Sequence, residues 1–120
     1  MKITWLGQAG LLFEDKNIKV MVDPYLSNSV VKVNPKNYRR VPVDESFFDV
    51  KPDVMLVTHD HLDHLDPETL PRFLQKGGIK LLCPENAWKQ ARAYGGDNNY
   101  IMMDEHCRWS EGKREAYIQT

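Results

Sequence analysis

A chain of 120 residues fits a single domain by length, and 42% hydrophobic residues are enough to bury a core. With 16 basic against 17 acidic side chains its net charge is -1, so it lacks the basic excess of a nucleic-acid-coating protein. No apolar run approaches the roughly 20 residues that span a bilayer, and no apolar signal-peptide core accompanies the first residues. The expectation is a cytoplasmic protein with no membrane partner and no nucleic-acid partner.

Lys2–Leu6, Leu11–Phe13 and Ile18–Val22 read as three short strands rich in apolar and β-branched residues. Between the first two lies Gly7-Gln8-Ala9-Gly10, which lacks the P-loop lysine and leads into a strand; it predicts a hairpin turn. Asp15-Lys16-Asn17 supplies the next turn. From Asp23 to Pro52 the pattern breaks, punctuated by Pro24, Pro35, Pro42 and Pro52. Irregular connections of that length are often lids or binding loops. Tyr25, Tyr38, Arg39 and Arg40 lie here. Arginine suits an anionic substrate group, and a solvated charged loop is the alternative reading of the pair.

Asp53–Thr58 is a near-continuous apolar run, the pattern of a strand buried on both faces. Asp66-Pro67-Glu68-Thr69 carries helix-start chemistry, whereas Pro71 favours a start at Thr69, with Leu70, Phe73 and Leu74 on the buried face. Gly77-Gly78 ends that helix. Ile79–Leu82 is a further strand, Pro84–Tyr94 a second helix closed by Gly95-Gly96, and Tyr100–Met103 a short strand. His106 falls in a solvated turn. Cys107–Gln119 alternates around Glu111-Gly112-Lys113 and predicts a hairpin. Cys83 and Cys107 show neither CxxC nor Cys/His spacing and read as free structural thiols. Antiparallel strands followed by alternating strands and helices predict a layered α/β domain.

The unusual text is Thr58-His59-Asp60-His61-Leu62-Asp63-His64. The chain has only 4 histidines, and three of them fall within these few positions at the end of the buried strand. In an extended segment residues two apart point the same way, so His59 and His61 can grip one cation. Asp63 and His64 follow as the chain turns, and can reach the same ion or a second one. Imidazole nitrogen with carboxylate oxygen suits zinc, and also manganese or iron.

The run His59-x-His61-x-Asp63-His64 resembles the signature motif of the metallo-β-lactamase superfamily, and Asp23 resembles that family's upstream aspartate. Trp5-Leu6-Gly7-Gln8-Ala9-Gly10 and Asp23-Pro24-Tyr25-Leu26-Ser27-Asn28-Ser29 resemble, more narrowly, the L-ascorbate-6-phosphate lactonase branch and its relatives. The resemblance implies half of an αβ/βα sandwich, a mixed sheet with helices on one face. It also implies two metal ions, zinc or manganese, with further ligands from a second half-domain. Those further ligands have no counterpart in this sequence, so residues 1–120 correspond to an amino-terminal half. A homo-oligomer, or a chain supplying the missing half, is therefore the expected partner.

The function that follows is metal-dependent hydrolysis of a small anionic ester or lactone, such as a sugar-phosphate lactone. His59, His61, Asp63 and His64 are the metal ligands, and Asp63 is the residue that orients water and moves its proton. A catalytically incomplete metal-binding fragment, a nuclease and a metal-dependent oxidoreductase of the same superfamily stand as alternatives.

Overall fold

The computed structural model describes residues 1–112 and 114–117. Strand β1 (Lys2–Gly7) turns at Gln8-Ala9 into β2 (Gly10–Asp15), which turns again into β3 (Ile18–Val22). All three run antiparallel. The long connection contains two short 3-10 turns, Ser29–Lys32 and Glu45–Asp49, before β4 (Val54–Leu56). Helix α1 (Leu70–Leu74), β5 (Lys80–Cys83), α2 (Glu85–Ala93) and β6 (Asn99–Met102) follow in alternation. Strands β3 to β6 are parallel, so one mixed sheet runs in the order β1-β2-β3-β4-β5-β6. A separate hairpin, β7 (Arg108–Glu111) with β8 (Arg114–Tyr117), closes the described chain.

Strand periodicity sorts the apolar residues onto two faces. Met21, Met55 and Leu81 stand side by side across β3, β4 and β5, all fully buried. They form one core with Leu70, Phe73 and Leu74 of α1 and Ala87 and Ala91 of α2. Both helices thus cover the same face. On the other face, Val54, Leu56, Leu82 and Ile101 pack against Trp109 and Ala116 of the tail hairpin. Register carries this second face on through Val22 and Leu11 to Trp5, which is 56% exposed, and Ile3 nearby is 60% exposed. The fold is the expected mixed sheet with helices on one face, and no helix among the described residues is long and apolar enough to cross a membrane.

Two expectations need adjustment. The strand expected over Asp53–Thr58 forms ladder pairs only at Val54–Leu56, because the Thr58 amide donates to the Asp23 carboxylate instead of a neighbouring strand, 2.8 Å. The helix starts where Pro71 suggested: Thr69 stands at its N-terminal boundary, Pro71 sits in its first turn, and Asp66-Pro67-Glu68 lie ahead of it. The connection 23–52 is less loose than its prolines suggest, since Phe48 is buried and stacks on Phe73 at 5.3 Å. The tail hairpin matches expectation over its described residues; Lys113 and residues 118–120 lie outside them. Both cysteines are free, and burial pushes the Cys83 thiol up to about 12, so it stays protonated.

Asp66 explains why the turn before α1 holds. Its fully buried carboxylate accepts hydrogen bonds from Ser27 Oγ (2.6 Å), Ser29 Oγ (2.7 Å), Thr69 Oγ1 (2.5 Å) and the Glu68 amide (3.1 Å). It ties the segment after β3 to the start of α1. Asp66→Ala leaves the hydroxyls without their acceptor and should cost about 3 kcal/mol, a large share of a domain's stability. Urea unfolding checks this; a midpoint unchanged from the parent would show that the knot contributes nothing.

Candidate metal centre

The histidine motif begins where β4 runs out, at the carboxyl end of the parallel strands, the usual place for ligand sites in such sheets. The segment is not extended, as the sequence suggested. His61 O accepts from the amides of His64 (2.9 Å) and Leu65 (2.7 Å), which folds 61–65 into a turn. Leu65 is buried and anchors that turn in the core. The turn brings His64 back beside His59, with ring centroids 3.9 Å apart, and His61 packs edge-on to His59 at 4.4 Å. Asp63 Oδ1 lies 3.6 Å from His64 Nε2.

Behind the rings is one carboxylate, Asp23, buried at the end of β3 and held at φ +44. Oδ1 accepts the Thr58 amide at 2.8 Å, and Oδ2 accepts the Thr58 hydroxyl at 2.6 Å and His64 Nδ1 at 2.8 Å. Because the hydroxyl proton is spent on Asp23, Thr58 Oγ1 serves as acceptor towards His59 Nδ1, 2.8 Å away. In its neutral form either imidazole would therefore carry the proton on Nδ1 and leave the Nε2 lone pair for the site. This inner support is the arrangement in which histidines serve as metal ligands. In front, Gln8 Nε2 donates to Asp63 Oδ2 at 3.3 Å from a backbone at φ +55, while Trp5 Nε1 donates to Gln8 O at 2.8 Å.

The donor set of three imidazoles and a carboxylate fits a divalent ion in kind. Among the described residues, however, no three such groups surround a common point; the rings rest against one another. The four residues named from the sequence are thus brought together, in contact rather than splayed around a centre. His106 stays apart in an exposed turn, its Nε2 3.3 Å from Glu105. Sequence reasoning gave no role to Thr58 or Gln8. Thr58 is next to His59 in sequence, but its acceptor Asp23 is far away; Gln8 carries no local signal beyond the glycines flanking its turn.

Comparisons with known proteins show the family. The model of the Beta-lactamase superfamily domain matches residues 2–112, and the chain belongs to that superfamily. A UPF0173 metal-dependent hydrolase of Pyrobaculum islandicum is 35% identical over 65 residues, covering 54% of this chain and 25% of the relative. The mitochondrial N-acyl-phosphatidylethanolamine-hydrolyzing phospholipase D of Saccharomyces cerevisiae is 30% identical over 97 residues, 79% of this chain and 20% of the relative. The crystal structure of isothiocyanate hydrolase from Delia radicum gut bacteria superposes with a TM-score of 0.64 at 22% identity, covering 87% of this chain and 42% of the other. That last likeness shows the fold. The chain spans about a quarter or less of the length of these curated relatives. What these matches establish for this chain is membership of the β-lactamase superfamily.

The hydrogen-bond chain makes a prediction that needs no metal. Nitrogen-15 NMR of the neutral rings should show His59 and His64 predominantly as the Nδ1–H tautomer. Asp23→Asn should lose that preference at His64; an Nε2–H ring in the parent protein would show the relay to be wrong.

Proposed function

We propose that this chain carries the metal-binding half of a hydrolase acting on a small anionic ester or lactone, such as a sugar-phosphate lactone. The observation that carries the reading is the packing of His59, His61, His64 and Asp63 at the end of β4, with two of the rings backed by the Asp23–Thr58 relay. His59 and His61 would hold a first ion, and Asp63 with His64 a second. Zinc and manganese both accept mixed nitrogen and oxygen donors. When bound, the ion supplies Lewis-acid activation of water and of the scissile carbonyl or phosphoryl group.

The rest is done by the chain's own residues. The Gln8 amide holds one oxygen of Asp63, which fixes the carboxylate's orientation and leaves Oδ1 to take a proton from the attacking water. Asp23 and Thr58 keep His59 and His64 from rotating. The likeness of Trp5–Gly10 and Asp23–Ser29 to the lactonase branch supports the choice of a lactone. Two free thiols are in keeping with a reducing, cytoplasmic setting.

The remaining ligands come, in this reading, from a further part of a longer polypeptide or from a second chain. The exposed Ile3 and Trp5 mark the sheet face it would cover.

Three outcomes are expected. Elemental analysis of a longer form containing this segment should find about one or two divalent ions per chain, by analogy with other imidazole and carboxylate sites. No metal, and no uptake from added zinc or manganese, would overturn the assignment. In that form Asp63→Asn should keep the fold and lose most turnover, by about a hundredfold or more, on a panel of lactones and phosphoesters. Light scattering on residues 1–120 alone at micromolar concentration should report a dimer or larger species; a stable monomer would remove the docking role of the Ile3/Trp5 face.

A further inference from the structure

Two cavities, of about 510 and about 380 Å³, open beside the histidine cluster and meet at Gln8, Arg39, Arg40 and Asp63. His64 lines the first and Tyr38 the second. The two arginines are held in different ways. Arg39 is turned inward: Nε donates to Val41 O (2.8 Å), Nη2 to Leu6 O (3.2 Å) and Nη1 to Tyr25 O. Gly7, at φ +89 and without a side chain, lets that guanidinium lie against the backbone. Burial lowers the Arg39 pKa, against the opposing pull of Tyr25 and Asp66. Arg40 is exposed, its guanidinium carbon 3.7 Å from the Tyr38 ring centroid, with Nη1 donating to Tyr38 O and Nη2 to Lys36 O at 3.4 Å.

Every one of these acceptors is a neutral carbonyl. Among the described residues neither arginine has a carboxylate within ion-pairing distance, whereas Arg72 pairs with Glu45 at 3.0 Å and Lys32 with Glu68 at 2.9 Å. Among the described residues, the one carboxylate lining both cavities is Asp63, and it is engaged by Gln8 and faces His64. Two fixed positive charges thus flank the reacting end of the cavity with N–H groups to spare. An incoming oxyanion would gain charge-assisted bonds without breaking an ion pair or ordering a side chain.

We infer that Arg40, backed by Arg39, is an oxyanion-recognition subsite, so the substrate carries a carboxylate or phosphate group that docks here while its scissile bond lies towards Asp63 and His64. Arg40 makes the contact, and Arg39 holds the wall of the subsite in place. The position of the scissile bond rests on the hydrolase reading; the anion site itself does not.

The test keeps the two apart by working without metal. The whole chain, freed of metal with a chelator that is then removed, is titrated with inorganic phosphate and with acetate by NMR of the arginine side chains. Either anion should saturate in the millimolar range and shift the Arg40 Nε signal. Tighter binding of phosphate would identify a phosphoester substrate, and tighter binding of acetate a carboxylate. Arg40→Gln should weaken binding by about tenfold, and Arg40→Lys should recover part of it, since a lysine keeps the charge but not the fork. Lys36→Gln, a neighbouring cation whose side chain lines neither cavity, should stay within about twofold. The proposal is overturned if neither anion saturates by about 50 mM, if Arg40→Gln binds like the parent, or if Lys36→Gln loses as much. A chain that takes up no metal but binds phosphate through Arg40 would retire the hydrolase reading and keep the subsite.

Discussion

Much of the site hangs on the Asp23 carboxylate. Burying an ionised carboxyl group is costly unless its oxygens are occupied, and here an amide, a hydroxyl and an imidazole occupy them. The same residue donates its backbone amide to Leu56 O at 2.9 Å. Asp23 therefore joins the ends of β3 and β4 through both main chain and side chain. The joint requires the chain to leave β3 at positive φ, a conformation that aspartate tolerates better than most residues. It stops the β4 ladder, starts the long connection and sets the protonated nitrogen of two histidines.

The long connection is pinned to the rest of the molecule at several places. Asp66 takes the hydroxyls of Ser27 and Ser29, Arg39 Nη2 donates to Leu6 O, and Phe48 packs on Phe73 beneath Arg72. The walls of the cavity beside the histidines are consequently built from a braced segment. Strain follows the same map. Of the three non-glycine residues at positive φ among the described residues, Gln8 and Asp23 touch the candidate site directly. Backbone strain of this kind costs about 1–3 kcal/mol and persists where surrounding contacts impose it.

How far the sequence could be read depended on the range of the interactions involved. β3 was legible to the residue, because Asn17 ends the preceding turn and Asp23 ends an uninterrupted apolar alternation. The second helix was legible to within a residue at each end, with Pro84 before it and Gly95-Gly96 after it. The end of β4 was not, since the partner of the Thr58 amide lies far upstream on another strand. The start of the first helix was legible through Pro71, which points to Thr69, the residue just before Leu70. Spacing carried no sign that the Asp66 carboxylate gathers hydroxyls from the segment after β3.

The sequence alone determined the donor types of the candidate site, their crowding into His59–His64 and the periodicities that make a mixed α/β sheet. Those are local properties, written in spacing and side-chain chemistry. Only the tertiary structure decided that the motif turns instead of extending, that the tail hairpin covers the second sheet face from β4 to β6, and that Arg39 points inward while Arg40 faces the cavity. It also decided which nitrogen of His59 and His64 is left for the site. Each of those outcomes depends on a hydrogen bond or packing contact between residues distant in sequence, and spacing along a chain carries no record of which distant groups will meet.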